Sequence, residues 1–106
     1  MLVERLVERV SRRMRVIADP QRMRILAALE QKPYAVQELA DLLGRSHQST
    51  SHHLNALFGE GVVDRQQDGT RVVYCLADFT VCRLLLLAQE GVVAQLEELG
   101  ELASIE

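Results

Sequence analysis

Residues 36 to 57 read VQELADLLGRSHQSTSHHLNAL, and this stretch limits the fold more tightly than any other. Val36, Leu39, Leu42 and Leu43 recur at helical spacing and form one apolar stripe. Gly44 supplies the left-handed backbone position that ends a helix, and Ser46 is a favourable N-cap for the next. From Ser46 to His53 the side chains are almost all small or flat hydrogen-bonding groups: Ser46, His47, Gln48, Ser49, Thr50, Ser51, His52 and His53. Such a run has poor helix propensity and little apolar surface to bury. It is explained if the exposed face meets donors and acceptors on a partner, as a recognition helix does in the major groove of DNA. Leu54 and Leu57 then anchor the far half of that helix to the core. The pattern predicts a helix-turn-helix over 36–58.

A chain of 106 residues is one domain, 1–106, with a modest core. Aromatic residues are limited to Tyr34, Phe58, Tyr74 and Phe79, so aliphatic packing must carry that core. The longest apolar run, Leu84 to Ala88, falls far short of the roughly 20 residues a membrane span needs. The N-terminal charges alternate and leave no signal-peptide core, so a cytoplasmic location with no membrane partner is expected. Cys75 and Cys82 are too few for a disulfide scaffold. The net charge of −3 argues against nucleic acid only until its distribution is read. Residues 1–24 hold seven Arg against Glu4, Glu8 and Asp19, whereas residues 88–106 hold five Glu and no basic residue. An acidic protein with this asymmetry can bind DNA locally while its far end stays solvated.

At the N-terminus, Leu2, Leu6, Val10, Met14 and Ile17 lie three or four apart, with Val3 and Val7 widening the stripe. Glu4, Arg5, Glu8, Arg9, Arg12 and Arg13 occupy the other side, which predicts an amphipathic helix over 1–17. Asp19-Pro20 is a strong helix start, and Met23, Ile25, Leu26 and Leu29 make the expected buried face. Lys32-Pro33 ends that helix; the next two fall at about 35–43 and 47–58. Strand-like runs Val62–Gln67 and Thr70–Leu76 flank Asp68-Gly69, a hairpin signal that predicts a wing over 62–76. Within it Val72, Tyr74 and Leu76 share one face, and Arg71, Val73 and Cys75 the other. A lone hairpin is marginal, so it must pack on the helices. Arg71, beside the tip, is placed to reach a phosphate or a minor-groove edge. Asp78 is the expected cap of a last helix within 78–103, from Phe79 to about Leu102. Its run Leu84 to Leu87, continued by Val92, Val93, Leu96, Leu99 and Leu102, is too apolar for a lone surface helix. The predicted fold is mainly α with a small β-hairpin: a winged helix-turn-helix that dimerises through its terminal helices. Two-fold symmetry of this kind suits double-stranded DNA with inverted half-sites about 34–36 Å apart.

Several spaced motifs then agree in order with a known family. Ala18-Asp19-Pro20-Gln21-Arg22-Met23-Arg24-Ile25-Leu26, Glu38-Leu39-Ala40, Ser51-His52-His53-Leu54, Gly61-Val62-Val63, Asp68-Gly69 and Tyr74 resemble the ArsR/SmtB transcriptional repressors over roughly residues 12–78. The resemblance implies a homodimeric winged helix, paired through its first and last helices, that leaves its operator when an effector binds, often a metal ion. It implies DNA contacts from Ser46, His47, Gln48, Ser49, Ser51 and His52, with Arg71 on the wing. Thr50 stands where the family usually has an apolar residue, so it should be half-buried and bonded to a backbone carbonyl. His53 and Leu54 should face inward or support the helix. The family's metal ligands do not carry over. The two Cys flanking a Val are replaced in Ala35-Val36-Gln37. At the last helix, Asp78-Phe79-Thr80 keeps the first ligand and loses the second, and the later positions fall near Gly91 and Ala94. No metal site and no certain cofactor is expected from such a donor set.

Cys75 and Cys82 are candidate thiol sensors, through a reversible disulfide or persulfide that shifts the wing against the last helix. The alternative is that both are small core hydrophobes. Adjacent His52 and His53 point about 100° apart on a helix and suit metal ligation poorly. Arg22 and Arg24 fit either a phosphate contact or a structural ion pair. Ser, His and Asp are present, but no nucleophile elbow, phosphate loop or carboxylate pair accompanies them, so no enzyme is expected. The chain reads as a sequence-specific DNA-binding repressor released by an effector. The alternative is a dimeric interaction protein or co-regulator whose DNA binding needs a partner protein.

Overall fold

The computed structural model describes residues 3–101 and 103. The elements run α1 (Glu4–Ile17), α2 (Pro20–Gln31), β1 (Tyr34–Ala35), α3 (Val36–Leu43), α4 (His47–Gly59), β2 (Val63–Asp68), β3 (Arg71–Leu76) and α5 (Thr80–Leu99). Local chemistry sets most of these boundaries. Asp19 caps α2 by accepting the N–H groups of Gln21 (2.9 Å) and Arg22 (3.0 Å), with Pro20 in the first turn. Gly44, at φ 65°, closes α3 in the left-handed conformation. The Ser46 hydroxyl caps α4 by accepting the Ser49 N–H at 3.0 Å.

The core gathers one face of each central element. Ile25, Leu26 and Leu29 of α2, Leu39 of α3, Leu54 and Leu57 of α4, and Tyr74 and Leu76 of β3 are all buried, joined by Ile17, Val62, Val63 and Val81. The predicted alternation of β3 holds at Tyr74 and Leu76, while Val72 near the tip is exposed. Two positions assigned to apolar stripes lie outside the core: Met23 is exposed on α2 and Leu42 on α3. Ala40, beside Leu39, is the residue of α3 that joins it in the core.

The wing is a hairpin with one added strand. The antiparallel sheet has order β1-β3-β2, and β1 pairs Tyr34 with Tyr74 and Ala35 with Val73. That two-residue strand is too short to leave a periodic signal in the sequence. The hairpin is also shifted by one residue from the expected turn. Asp68 pairs with Arg71, so Gly69-Thr70 rather than Asp68-Gly69 forms the loop, with Gly69 at φ 65°. Only its first central residue has positive φ, the backbone pattern of a type II′ turn.

The last helix is shorter than 78–103. Asp78 does not occupy the cap position; it sits one residue earlier, accepts the Thr80 N–H at 3.0 Å, and leaves Phe79 as the cap. Gly100, at φ 70°, ends the helix after Leu99. Leu2 and Leu102, expected to extend the two terminal stripes, lie outside the described residues. Much of what remains of those stripes is exposed: Leu6, Val10 and Met14 on α1, although Ile17 is buried, and Leu84, Leu86, Leu87, Val92 and Leu99 on α5. Among the described residues no helix is long and apolar enough to cross a membrane.

Candidate nucleic-acid interface

Helix α4 divides into a pinned face and a presented face. Leu54 and Leu57 are fully buried, and Thr50 between them and the cap is 2% exposed. Thr50 resolves its own burial by donating its hydroxyl to the Ser46 carbonyl at 2.9 Å, as expected for a polar residue in an apolar slot. Ser46, His47, Gln48, His52 and Asn55 are exposed, and Ser49 and Ser51 are half-buried at the margins. Asn55 extends the polar ridge one turn beyond the residues singled out from sequence. Its signal was available, since Gln48, His52 and Asn55 are spaced four and three apart.

A polar interlock fixes the angle at which α4 leaves the core. Arg22 donates from Nε to His53 Nδ1 (3.1 Å) and from Nη1 to the Val16 carbonyl (3.1 Å), tying α1, α2 and α4 together. Arg22 is therefore a structural residue, and His53 faces inward as expected. Burial pushes the His53 imidazole below its ordinary pKa; the nearby Asp19 carboxylate opposes this, and the Arg22 charge reinforces it. Asp19 itself is held below the usual carboxylate range, chiefly by the Arg22 backbone N–H.

The wing arginine is engaged. Arg71 Nη2 donates to Glu38 Oε1 of α3 at 3.3 Å, and its Nε lies 4.0 Å from Asp68 Oδ2. The Glu38 carboxyl is lowered first by the Ala35 N–H and then by Arg71. Arg71 thus braces the wing against α3, and a phosphate must compete with Glu38 for it. Two other arginines, not singled out from sequence, are placed beside the ridge. Arg45 is exposed in the turn before the Ser46 cap; its backbone N–H donates to the Ala40 carbonyl at 2.9 Å, and its side chain has no ion-pair or hydrogen-bond partner among the described residues. Arg65 of β2 stacks over Phe58 at the end of α4, 4.1 Å from the ring centroid.

A second ionic cluster lies behind α4. Arg13 of α1 reaches Asp78 Oδ2 at 2.5 Å and the Glu60 carbonyl at 2.8 Å, while Arg12 reaches Glu60 Oε2 at 3.2 Å. The Glu60 side chain is only 8% exposed. Asp78 lies below its ordinary pKa, first through the Thr80 hydroxyl and then through the Thr80 N–H and Arg13. A guanidinium therefore already occupies the carboxylate that the family pattern would offer to a metal. At the other family site Ala35 has no donor atom, and Gln37 bonds to Asp41 and His47. Among the described residues no group of three or more His, Cys, Asp or Glu is placed to hold a metal ion. These donor sets do not fit the family's metals.

Both cysteines are free and half-buried. Cys75 lies on β3 opposite Asp64, and Cys82 lies in the first turn of α5. Burial pushes the Cys82 thiol up, and the Glu30 carboxylate pushes it further. A thiol held neutral in this way is a slow nucleophile toward oxidants.

The family model described as "Bacterial regulatory protein, arsR family" matches residues 19–65, from the α2 cap into β2. The cadmium resistance transcriptional regulatory protein CadC of Listeria innocua is 34% identical over 74 residues, covering 69% of this chain and 62% of that protein. The chain thus spans about six tenths of the length of such curated relatives. The solution structure of the homodimeric winged helix-turn-helix DNA-binding domain of Mb0332 from Mycobacterium bovis is 34% identical, covers 89% of this chain and 85% of that one, and superposes with a TM-score of 0.74. Crystalline Rv0081 of Mycobacterium tuberculosis is 28% identical, covers 88% and 94%, and has a TM-score of 0.77. The shared winged fold, the matched cap-to-wing segment and the identity over nearly the whole domain have one meaning: the chain belongs to the arsR family of bacterial regulatory proteins.

Proposed function

We propose that the protein is a cytoplasmic, homodimeric, sequence-specific DNA-binding repressor that leaves its operator when an effector acts on it. One observation carries this reading. Helix α4 buries Thr50, Leu54 and Leu57 and turns Gln48, His52 and Asn55 outward, so its free face is a row of groups matched to base edges. The exposed apolar stripes of α1 and α5 support pairing of two copies, since contiguous apolar surface of this kind marks an interface. A two-fold dimer would present two α4 helices to an inverted repeat. A regulator that binds DNA only with a partner protein has no observation in its favour.

The test is fluorescence anisotropy of the purified protein on its own upstream DNA against a scrambled duplex. Tight, salt-sensitive and sequence-dependent binding is expected. Equal affinity for both duplexes would sink the proposal. Replacing Gln48 with Ala should cut the discrimination between the two duplexes by about tenfold. Effector class is read on the same complex. Release by a mild thiol oxidant, reversed by reductant and lost in Cys75→Ser or Cys82→Ser, would assign the trigger to a thiol. Indifference to zinc and nickel is expected from the donor sets at Asp78 and Gln37.

A further inference from the structure

Helices α3 and α4 meet through an ordered chain of three side chains at the base of the presented face. Gln37 Nε2 donates to Asp41 Oδ1 at 2.8 Å, and Gln37 Oε1 lies 3.0 Å from His47 Nδ1. His47 is the first residue of α4, and its ring is exposed. The direction of the chain follows from what each group can do. A carboxylate only accepts, so Gln37 must offer Asp41 its amide NH2, which leaves the amide oxygen facing His47. An amide oxygen also only accepts, so the proton must sit on His47 Nδ1. A neutral imidazole carries one N–H, and the far nitrogen, Nε2, is left with a lone pair.

The geometry points to Asp41–Gln37–His47 as a relay that sets which base His47 reads. The inference rests on α4 being the DNA-reading helix and adds the specificity of one position on it. His47, locked as the Nδ1–H tautomer, presents Nε2 to the groove as an acceptor. In the major groove the complementary donors are the exocyclic amines of adenine and cytosine, whereas guanine offers only acceptors, and thymine an acceptor and a methyl group. One operator position should therefore favour A or C over G or T on the contacted strand. Inverting that base pair should cost about tenfold in affinity. Gln37 and Asp41 act as positioning residues: neither needs to touch DNA, yet both govern what His47 selects.

The experiment has two readouts. The first is the tautomer in the free protein, from long-range proton–nitrogen NMR spectra of the imidazole at pH 8. A protonated Nδ1 and an unprotonated Nε2 at His47 are expected, and the opposite tautomer overturns the relay. The second is base preference, from binding to operators with each base pair inverted in turn, using wild type, Asp41→Lys and Gln37→Leu. A lysine at 41 can only donate. It would turn the Gln37 oxygen toward itself, present the amide NH2 to His47 Nδ1 and move the ring proton to Nε2. Asp41→Lys should then shift the tautomer in the NMR spectrum and change the preference at a single position: away from C, which presents no acceptor, toward G or T, while A, whose N7 accepts, loses its advantage over them. Gln37→Leu should reduce that preference to within about twofold. Any general gain in phosphate affinity from the new lysine cancels in the ratio between operators. Sequence-specific binding whose preferences survive Asp41→Lys unchanged at every position overturns the relay alone. Wild-type protein without any sequence preference overturns the DNA-reading proposal, and the base-selecting role with it.

Discussion

Ser46 and Thr50 show how far a single residue can be read from its neighbours. Ser46 precedes a helix with no other capping group and accepts the Ser49 N–H. Ser46→Ala should lower stability by about 1 kcal/mol in urea denaturation; a change within error would show that another group satisfies the first turn. His53 is a different case, because its state depends on Arg22, 31 positions away in sequence. Its folded pKa is lowered from 6.5, so the unfolded chain binds more protons as the pH drops below that value. This histidine therefore costs no stability above about pH 6.5 and destabilises the fold progressively as the pH falls from there toward its folded pKa. His53→Gln keeps an acceptor for Arg22 and removes the titration, so its unfolding free energy should depend less on pH between 5 and 7. An unaltered slope would place the titration elsewhere. Arg45 offers a test of the interface itself. Lacking an ion-pair partner among the described residues, it should contribute one phosphate contact, and Arg45→Ala should lower the salt slope of DNA binding by about 1. Arg71→Ala should lower it less, since Glu38 already holds that charge.

Elements are legible where their signal is local. The α2 cap, the Gly44 stop and the polar run of α4 each follow from a few adjacent residues, and they stand where expected. The failures share a cause. Met23 and Leu42 match the helical period but stay 40% and 56% exposed, Met23 at a groove shared with α5. β1 exists only because β3 offers it a free edge. The clamp that ties α1 to the end of α4 through Glu60 and to the start of α5 through Asp78 joins Arg13 to Asp78 across 65 positions, a pairing invisible to any window of sequence. Arg13→Ala should cost about 1–3 kcal/mol, less than a fully buried pair because the arginine is partly exposed, and should leave Asp78 without a cation and Glu60 with Arg12 alone. Arg12→Ala, at a 55% exposed side chain, should cost under about 0.5 kcal/mol. Equal shifts in the two urea midpoints would refute the assignment of Arg13 as the clamp.

For the whole molecule, the unpaired quantity is apolar surface. Leu87 is 64% exposed on α5 and Leu6 is 49% exposed on α1, so a charge at either position costs the isolated protomer little. In a dimer built on those helices it would be buried without a partner. Leu87→Glu should therefore keep the protomer folded by circular dichroism, sediment as a monomer, and bind the inverted repeat about 100-fold more weakly. A variant that stays dimeric would move the interface off α5.

Caps, stops, the apolar periods and the polar face of α4 belong to the amino-acid order, because each depends on groups within one or two turns of backbone. The same order also carries the family resemblance, which is written in such short motifs. Which stripes are covered, which arginines are spent on carboxylates and which nitrogen of His47 holds its proton belong to the folded arrangement. Those outcomes rest on Coulombic and hydrogen-bond partners brought together from distant parts of the chain, and only packing decides which of several eligible partners comes within 3 Å.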